Sequence, residues 1–134
     1  MVVDDEPMNI EMVRSMLIEM GYKVDSASQG YEALGLIKER NQLVNQGKAS
    51  MYKLILLDFS MPDIDGPEVA RQARAMFQEQ TTSDTDLLSP IICCCTAYTE
   101  ATFKRQAFLA GMNKFVTKPV SYKDLRDCLQ MVDK

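Results

Sequence analysis

Short runs of adjacent apolar residues alternate along this chain with longer stretches in which apolar residues recur every three or four positions. The first pattern suits strands covered on both faces, and the second suits helices with one buried stripe. Together they predict repeated strand–helix units around a parallel sheet. Val2-Val3 form the stub of a first strand that stops at Asp4-Asp5. Pro7 suits the first turn of a helix, Ile10, Val13, Leu17 and Met20 carry its inward stripe, and Gly21 closes it. A second strand is predicted over 22–27 and a second helix over 31–40, with Ala33, Leu34 and Ile37 inward. Residues 41–50 are polar and include Gly47, so the helix is predicted to fray there into an extended loop.

Leu54-Ile55-Leu56-Leu57 is continuously apolar, as a central strand should be, and it ends in Asp58. Met61 to Pro67 is dense in turn formers, and a helix follows through Val69, Ala73, Met76 and Phe77. The stretch 80–89 reads as a polar surface loop, and Ile91 to Thr96 as the fourth strand. Thr99 is the expected cap of a helix that Gly111 ends. Residues 114–117 give a fifth strand, and Ser121-x-x-Asp124 resembles a capping box that opens the last helix. Leu125, Cys128, Leu129 and Val132 face inward on that helix. The result is five strand–helix units with no internal repeat, so residues 1–134 read as a single domain with a short first strand.

In an open parallel sheet, reactive groups collect beyond the carboxyl ends of the strands. Here those ends carry Asp4 and Asp5, then Asp58, then Thr96, then Lys118. Charges about 4 Å apart interact by roughly 4 kcal/mol at an effective dielectric of 20. A pocket that gathers these carboxylates must therefore raise a carboxylate pKa or hold a hard cation. Mg²⁺ takes oxygen ligands and often shares phosphate oxygens, and a strand-end Asp beside it is placed to attack phosphorus. Lys118 and Thr96 supply a cation and a hydroxyl for the remaining phosphoryl oxygens. Singly, each group has a plainer reading: helix-start acids, a turn residue, a strand threonine, a solvated lysine. Their joint occurrence at successive strand ends favours the chemical reading.

Composition narrows the field further. Hydrophobic residues at 46% and charged residues at 25% match an ordinary globular domain. The net charge of −4 argues against nucleic acid as the direct ligand. No apolar run reaches membrane-spanning length, and the start does not resemble a signal peptide. The absence of histidine removes Ser/His and Cys/His catalysis and the usual zinc ligands. Cys93, Cys94 and Cys95 are consecutive on a strand and alternate faces, so with Cys128 they read as core residues rather than a metal site. The ten methionines read as helix-face packing.

Four segments in the same order resemble the receiver domains of two-component response regulators. They are Val2-Val3-Asp4-Asp5-Glu6-Pro7-Met8-Asn9-Ile10, Leu56 to Gly66, Cys95-Thr96-Ala97 and Lys118-Pro119. The resemblance implies a flavodoxin-like, doubly wound α/β fold with five parallel strands in the order 2-1-3-4-5 and five helices. It implies that Asp58 accepts a phosphoryl group from a phosphohistidine on a histidine kinase or phosphotransfer domain. Asp4 and Asp5 would organise Mg²⁺ together with Asp58 and the backbone carbonyl of Ser60. Lys118 would contact the phosphoryl group, and Thr96 and Phe115 would be the switch pair. The Lys118–Pro119 peptide would be cis. A downstream partner would dock on the face made by the fourth helix, fifth strand and fifth helix. The short first strand and the long loops suit a segment cut from a larger chain, such as a cytoplasmic receiver within a hybrid histidine kinase. Phosphatases of the haloacid-dehalogenase type fit less well, because they need a second Asp where this chain has Ser60.

Overall fold

The computed structural model describes residues 1–78 and 89–132. In chain order the elements are β1 (Val2–Val3), α1 (Pro7–Glu19), β2 (Ser26–Ala27), α2 (Gly30–Asn45), β3 (Leu54–Asp58), α3 (Gly66–Gln78), β4 (Ile91–Thr96), α4 (Ala101–Leu109), β5 (Lys114–Thr117) and α5 (Tyr122–Val132). The strands form one parallel sheet in the order β2-β1-β3-β4-β5. This is the predicted flavodoxin-like order, with the strand order reversing between β1 and β3. A crevice therefore opens at the carboxyl ends of those two strands.

The period of two along each strand sorts the side chains between two cores. Val2, Leu54, Leu56, Cys93, Cys95 and Val116 pack with Val13, Met16 and Leu17 of α1 and with Leu125 and Cys128 of α5. Val3, Ile55, Leu57, Ile92 and Cys94 pack on the other face with α2, α3 and Ala107 of α4. All five residues of β3 are buried, as its unbroken apolar run requires. Each fully buried aliphatic side chain contributes roughly 1.5–3 kcal/mol of transfer free energy. The cysteines divide as their alternation predicts, and all four are free thiols in the core.

Three local expectations change. β2 is confined to Ser26–Ala27, the only positions where β1 lies in register beside it, rather than 22–27. α2 continues to Asn45 instead of fraying from residue 41. There the Asn41 side chain donates to the Met76 carbonyl at 3.1 Å and Val44 packs on the core, so tertiary contacts outweigh the polar composition. Gly47, at φ +72°, follows the helix end in the left-handed region. Thr99 does not cap α4; the cap position is Glu100, and it makes no side-chain capping bond. The Ser121–Asp124 box does form. Ser121 N–H donates to Asp124 Oδ2 at 3.0 Å, and Asp124 N–H donates to Ser121 Oγ at 3.1 Å. The predicted loop at 80–89 lies, apart from Ser89, outside the described residues. No helix among the described residues is long and apolar enough to cross a membrane.

Candidate functional site

The register of the sheet explains why the acidic groups meet. Val2 pairs with Leu56 and Val3 with Leu57, so the next step along both strands sets Asp4 beside Asp58. Because residues two apart share a face, Asp4 and Asp58 follow Val2 and Leu56 on the α1 side of the sheet. Asp4, Asp5 and Asp58 each offer a carboxylate oxygen, and these oxygens lie within 4.8 Å of one another. Asp4 and Asp58 are buried, whereas Asp5 is exposed. Lys118 lies one residue past β5 and reaches back across the pocket. Its ammonium is 2.8 Å from Asp4 Oδ2 and 3.1 Å from Asp58 Oδ1. The Lys118–Pro119 peptide is cis.

The electrostatics follow from this crowding. Burial, and then the charge of Asp4, push the Asp58 carboxyl up to about 6 from its ordinary value of 3.8, against the opposing pull of Lys118. Burial alone would lower the Lys118 ammonium, but its bond to Asp4 and the charge of Asp58 outweigh burial and raise it. One ammonium thus bridges two buried carboxylates, while a third carboxylate stands at the rim. The cluster has an excess of oxygen donors and a hard, anionic character. That suits Mg²⁺, which favours carboxylates, keeps several waters and is held through an open site.

The other expected residues are Thr96, Phe115 and Ser60. Thr96 ends β4 and is buried, and its Oγ1 accepts the Tyr98 N–H at 3.1 Å. The β3 and β4 ends stay joined through Phe59 N–H to the Cys95 carbonyl at 3.2 Å, and β4 to β5 through Lys118 N–H to the Thr96 carbonyl at 2.9 Å. Phe115 is half-buried on β5 and lies under the Lys104 ammonium at 5.5 Å. Ser60, two residues past Asp58, is exposed.

The structure adds groups that sequence reasoning passed over. Asp63 was legible only as a turn residue. Its carboxylate accepts the Gly30 N–H at 3.0 Å and the Tyr31 N–H at 2.8 Å, so it caps α2 from the loop after β3. Gly66 N–H donates to the Phe59 carbonyl at 2.7 Å, and a Cβ there would collide with the Asp58 carbonyl oxygen. Only glycine lets that loop turn so close behind Asp58. Phe59, next to Asp58, meets Phe103 of α4 edge-on at 5.1 Å, and Phe103 stacks on Tyr98 at 5.2 Å. No spacing rule links these three positions, because the contact joins three separate segments.

Comparison with known proteins agrees with the geometry. Residues 1–130 match the family described as the response regulator receiver domain. The chain is 31% identical over its full length to hybrid signal transduction histidine kinase L of Dictyostelium discoideum, of which it covers 7%. It is 30% identical to histidine kinase 5 of Arabidopsis thaliana over 97% of its length, covering 15% of that protein. The chain therefore spans a small fraction of the length of these curated relatives. Among solved structures, the receiver domain of the histidine kinase CKI1 from Arabidopsis thaliana, complexed with Mg²⁺ and BeF3⁻, superposes with a TM-score of 0.84. It shares 26% identity, over 98% of this chain and 87% of that one. The chain belongs to the response regulator receiver domain family, the phosphorelay module of two-component signalling.

Proposed function

We propose that residues 1–134 act as one receiver unit in which Asp58 accepts the phosphoryl group. The carrying observation is the convergence of three carboxylates within 4.8 Å with the Lys118 ammonium on two of them. An Asp58 oxygen attacks the phosphorus of a phosphohistidine, the P–N bond breaks, and the imidazole nitrogen leaves with the bond pair. Lys118 leaves Asp58 for a phosphoryl oxygen and keeps its contact with Asp4. The Thr96 hydroxyl donates its proton to a second oxygen while still accepting from Tyr98. Asp4, Asp5, Asp58 and the Ser60 carbonyl would hold Mg²⁺, which when bound neutralises charge on the transferring group. The Mg²⁺ and BeF3⁻ in the CKI1 receiver support this assignment.

Histidine is absent from the chain, so the donor is a separate histidine kinase or phosphotransfer domain. Met8 and Met12, exposed at the start of α1 beside the acidic pocket, suit apolar contact with such a donor. The domain catalyses its own phosphorylation and hydrolyses its own aspartyl phosphate. Ser60 and Tyr98 flank the path of the attacking water. Inward movement of Thr96 makes room for Phe115 to turn in, which alters the face of α4, β5 and α5 offered to a downstream partner.

Intact-mass analysis after incubation with Mg²⁺ and an acyl phosphate tests the proposal. One added phosphoryl group is expected, absent without Mg²⁺ and absent in Asp58→Asn. No adduct on folded protein would leave a binding module that works without phosphorylation.

A further inference from the structure

Cys93 on β4 and Cys128 on α5 play no part in the acceptor pocket, yet their sulfurs lie 3.2 Å apart. Neither residue has measurable exposure. Most core cysteines pack as isolated small apolar groups. Here two thiols from elements 35 residues apart face each other in one core. A third, Cys95, is on the same face and points its thiol towards the Cys93 carbonyl at 3.9 Å. The described cysteines form no three-ligand metal cluster, since the acidic trio is the only such group among the described residues. A pair in contact, without a third ligand, suits a disulfide rather than a metal. We propose that Cys93 and Cys128 are a dithiol that a peroxide oxidises to a disulfide, fastening α5 to β4.

The chemistry balances with hydrogen peroxide as the two-electron oxidant. The Cys128 thiolate attacks one peroxide oxygen, forming an S–O bond as the O–O bond breaks, and the hydroxide released takes up a proton to become water. The Cys93 sulfur, giving up its proton, then attacks Cys128 Sγ. An S–S bond forms, the S–O bond breaks, and the second oxygen leaves as water. The two thiols lose two electrons and two protons, and the peroxide becomes two waters. The order of attack follows the contact between the thiols. The hydrogen bond shared with Cys93 lowers the Cys128 thiol below its ordinary range, helped by Lys114, while the same bond raises Cys93.

Access comes through α5 itself. Its buried residues are Leu125 and Cys128, both on one stripe, and Cys128 sits one turn from Val132. Leu129 and Val132 of the same helix pack on that core but are only partly buried, and local opening of such a helix would cost less than global unfolding. Once formed, the bond would hold in place one wall of the α4–β5–α5 face. The link is independent of Asp58 chemistry.

The test is peroxide treatment of the 134-residue protein under native conditions, followed by alkylation in denaturant, intact mass and peptide mapping. The expected product has lost about 2 Da, leaves two cysteines open to alkylation, and yields a Cys93–Cys128 linked peptide. It should melt several degrees higher than the reduced form, because the bond closes a long loop. Cys94→Ala, altered on the opposite face of the sheet, should form the same Cys93–Cys128 link with one cysteine left to alkylate, and Asp58→Asn the same link with two. Cys128→Ala should give none. Four alkylatable cysteines after treatment, a link to Cys94 or Cys95, or stepwise addition of oxygen in place of the bridge would each overturn the proposal.

Discussion

Replacing Asp58 with asparagine should stabilise the folded domain above neutral pH, and the gain should disappear in acid. Asparagine keeps the shape of the side chain and removes its charge. That charge is buried at 6% exposure and shares its pocket with Asp4 and Asp5. At about 4 Å and an effective dielectric of 20, each like-charge pair costs roughly 4 kcal/mol, and Lys118 offsets only part of this. The balance leaves the folded carboxyl at about 6 against an ordinary 3.8. A folded pKa above the unfolded value means that the native state holds the proton more tightly. The associated stability is complete below the unfolded pKa and is lost as pH rises through the folded one. By about pH 7.5 the ionised carboxylate costs the native state about 1–3 kcal/mol. At about 2 cal/mol/K of unfolding entropy per residue, that is roughly 4–11 °C in melting temperature. Thermal melts with chelator at about pH 3, 6 and 7.5 measure it directly. Asp58→Asn should match the parent at the first pH and exceed it at the last. Added Mg²⁺ should raise the parent more than the variant, closing the gap. A variant no more stable than the parent at alkaline pH, or a gap that does not change with pH, would refute the electrostatic account.

Gly66→Ala should be destabilised by about 2 kcal/mol in chemical denaturation, because its Cβ meets the Asp58 carbonyl. It should also phosphorylate more slowly than the parent in the mass assay. Asp63→Ala strips two N–H partners from the start of α2 and should cost about 1–2 kcal/mol by the same measurement. Its phosphorylation rate should remain close to that of the parent, since Asp63 does not touch the acidic pocket. Thr96→Ala should still take up a phosphoryl group from an acyl phosphate but lose the phosphorylation dependence of partner binding, measured by titration of the beryllofluoride-treated protein. Partner binding that still tracks phosphorylation in that variant would rule out Thr96 as the link.

The sheet and its edge were legible because each strand carries its own signal. The run Leu54–Leu57 is apolar throughout because both faces are covered, and its abrupt end at Asp58 marks the strand's carboxyl edge. The helix caps were legible where local chemistry sets them, as at Ser121 and Asp124. The remainder depends on contacts between distant segments. α2 extends past residue 40 because Asn41 and Val44 find partners in the folded chain, which local composition does not record. Asp63 caps a helix 32 residues before it in the chain, and no local pattern announces that pairing. The approach of Lys118 to both Asp4 and Asp58 follows from strand order and register, since β5 lies two strands away from β3.

These long-range contacts bear most directly on how the pocket communicates with the surface. Thr96 Oγ1 accepts the Tyr98 N–H and keeps its own proton to give, so the hydroxyl can engage a phosphoryl oxygen without releasing Tyr98. Movement of Thr96 would therefore carry the backbone of Tyr98 with it. The Tyr98 ring, half-exposed and stacked on Phe103, resists that movement through a contact worth about 0.5–1.5 kcal/mol. Phe103 is held in turn by Phe59, whose backbone joins Asp58 directly. Asp58 is thus connected to the β4–α4 loop through the rings, and in the proposed acceptor role a phosphoryl group on it would add a second route through the Thr96 hydroxyl. In that proposal the hydroxyl route would strengthen when a phosphoryl group arrives, while the ring contacts would stay as they are. Their balance sets the resting position of the loop, and a stack worth only about 1 kcal/mol is small enough for a single charge-assisted hydrogen bond, at about 1.5–3 kcal/mol, to overcome.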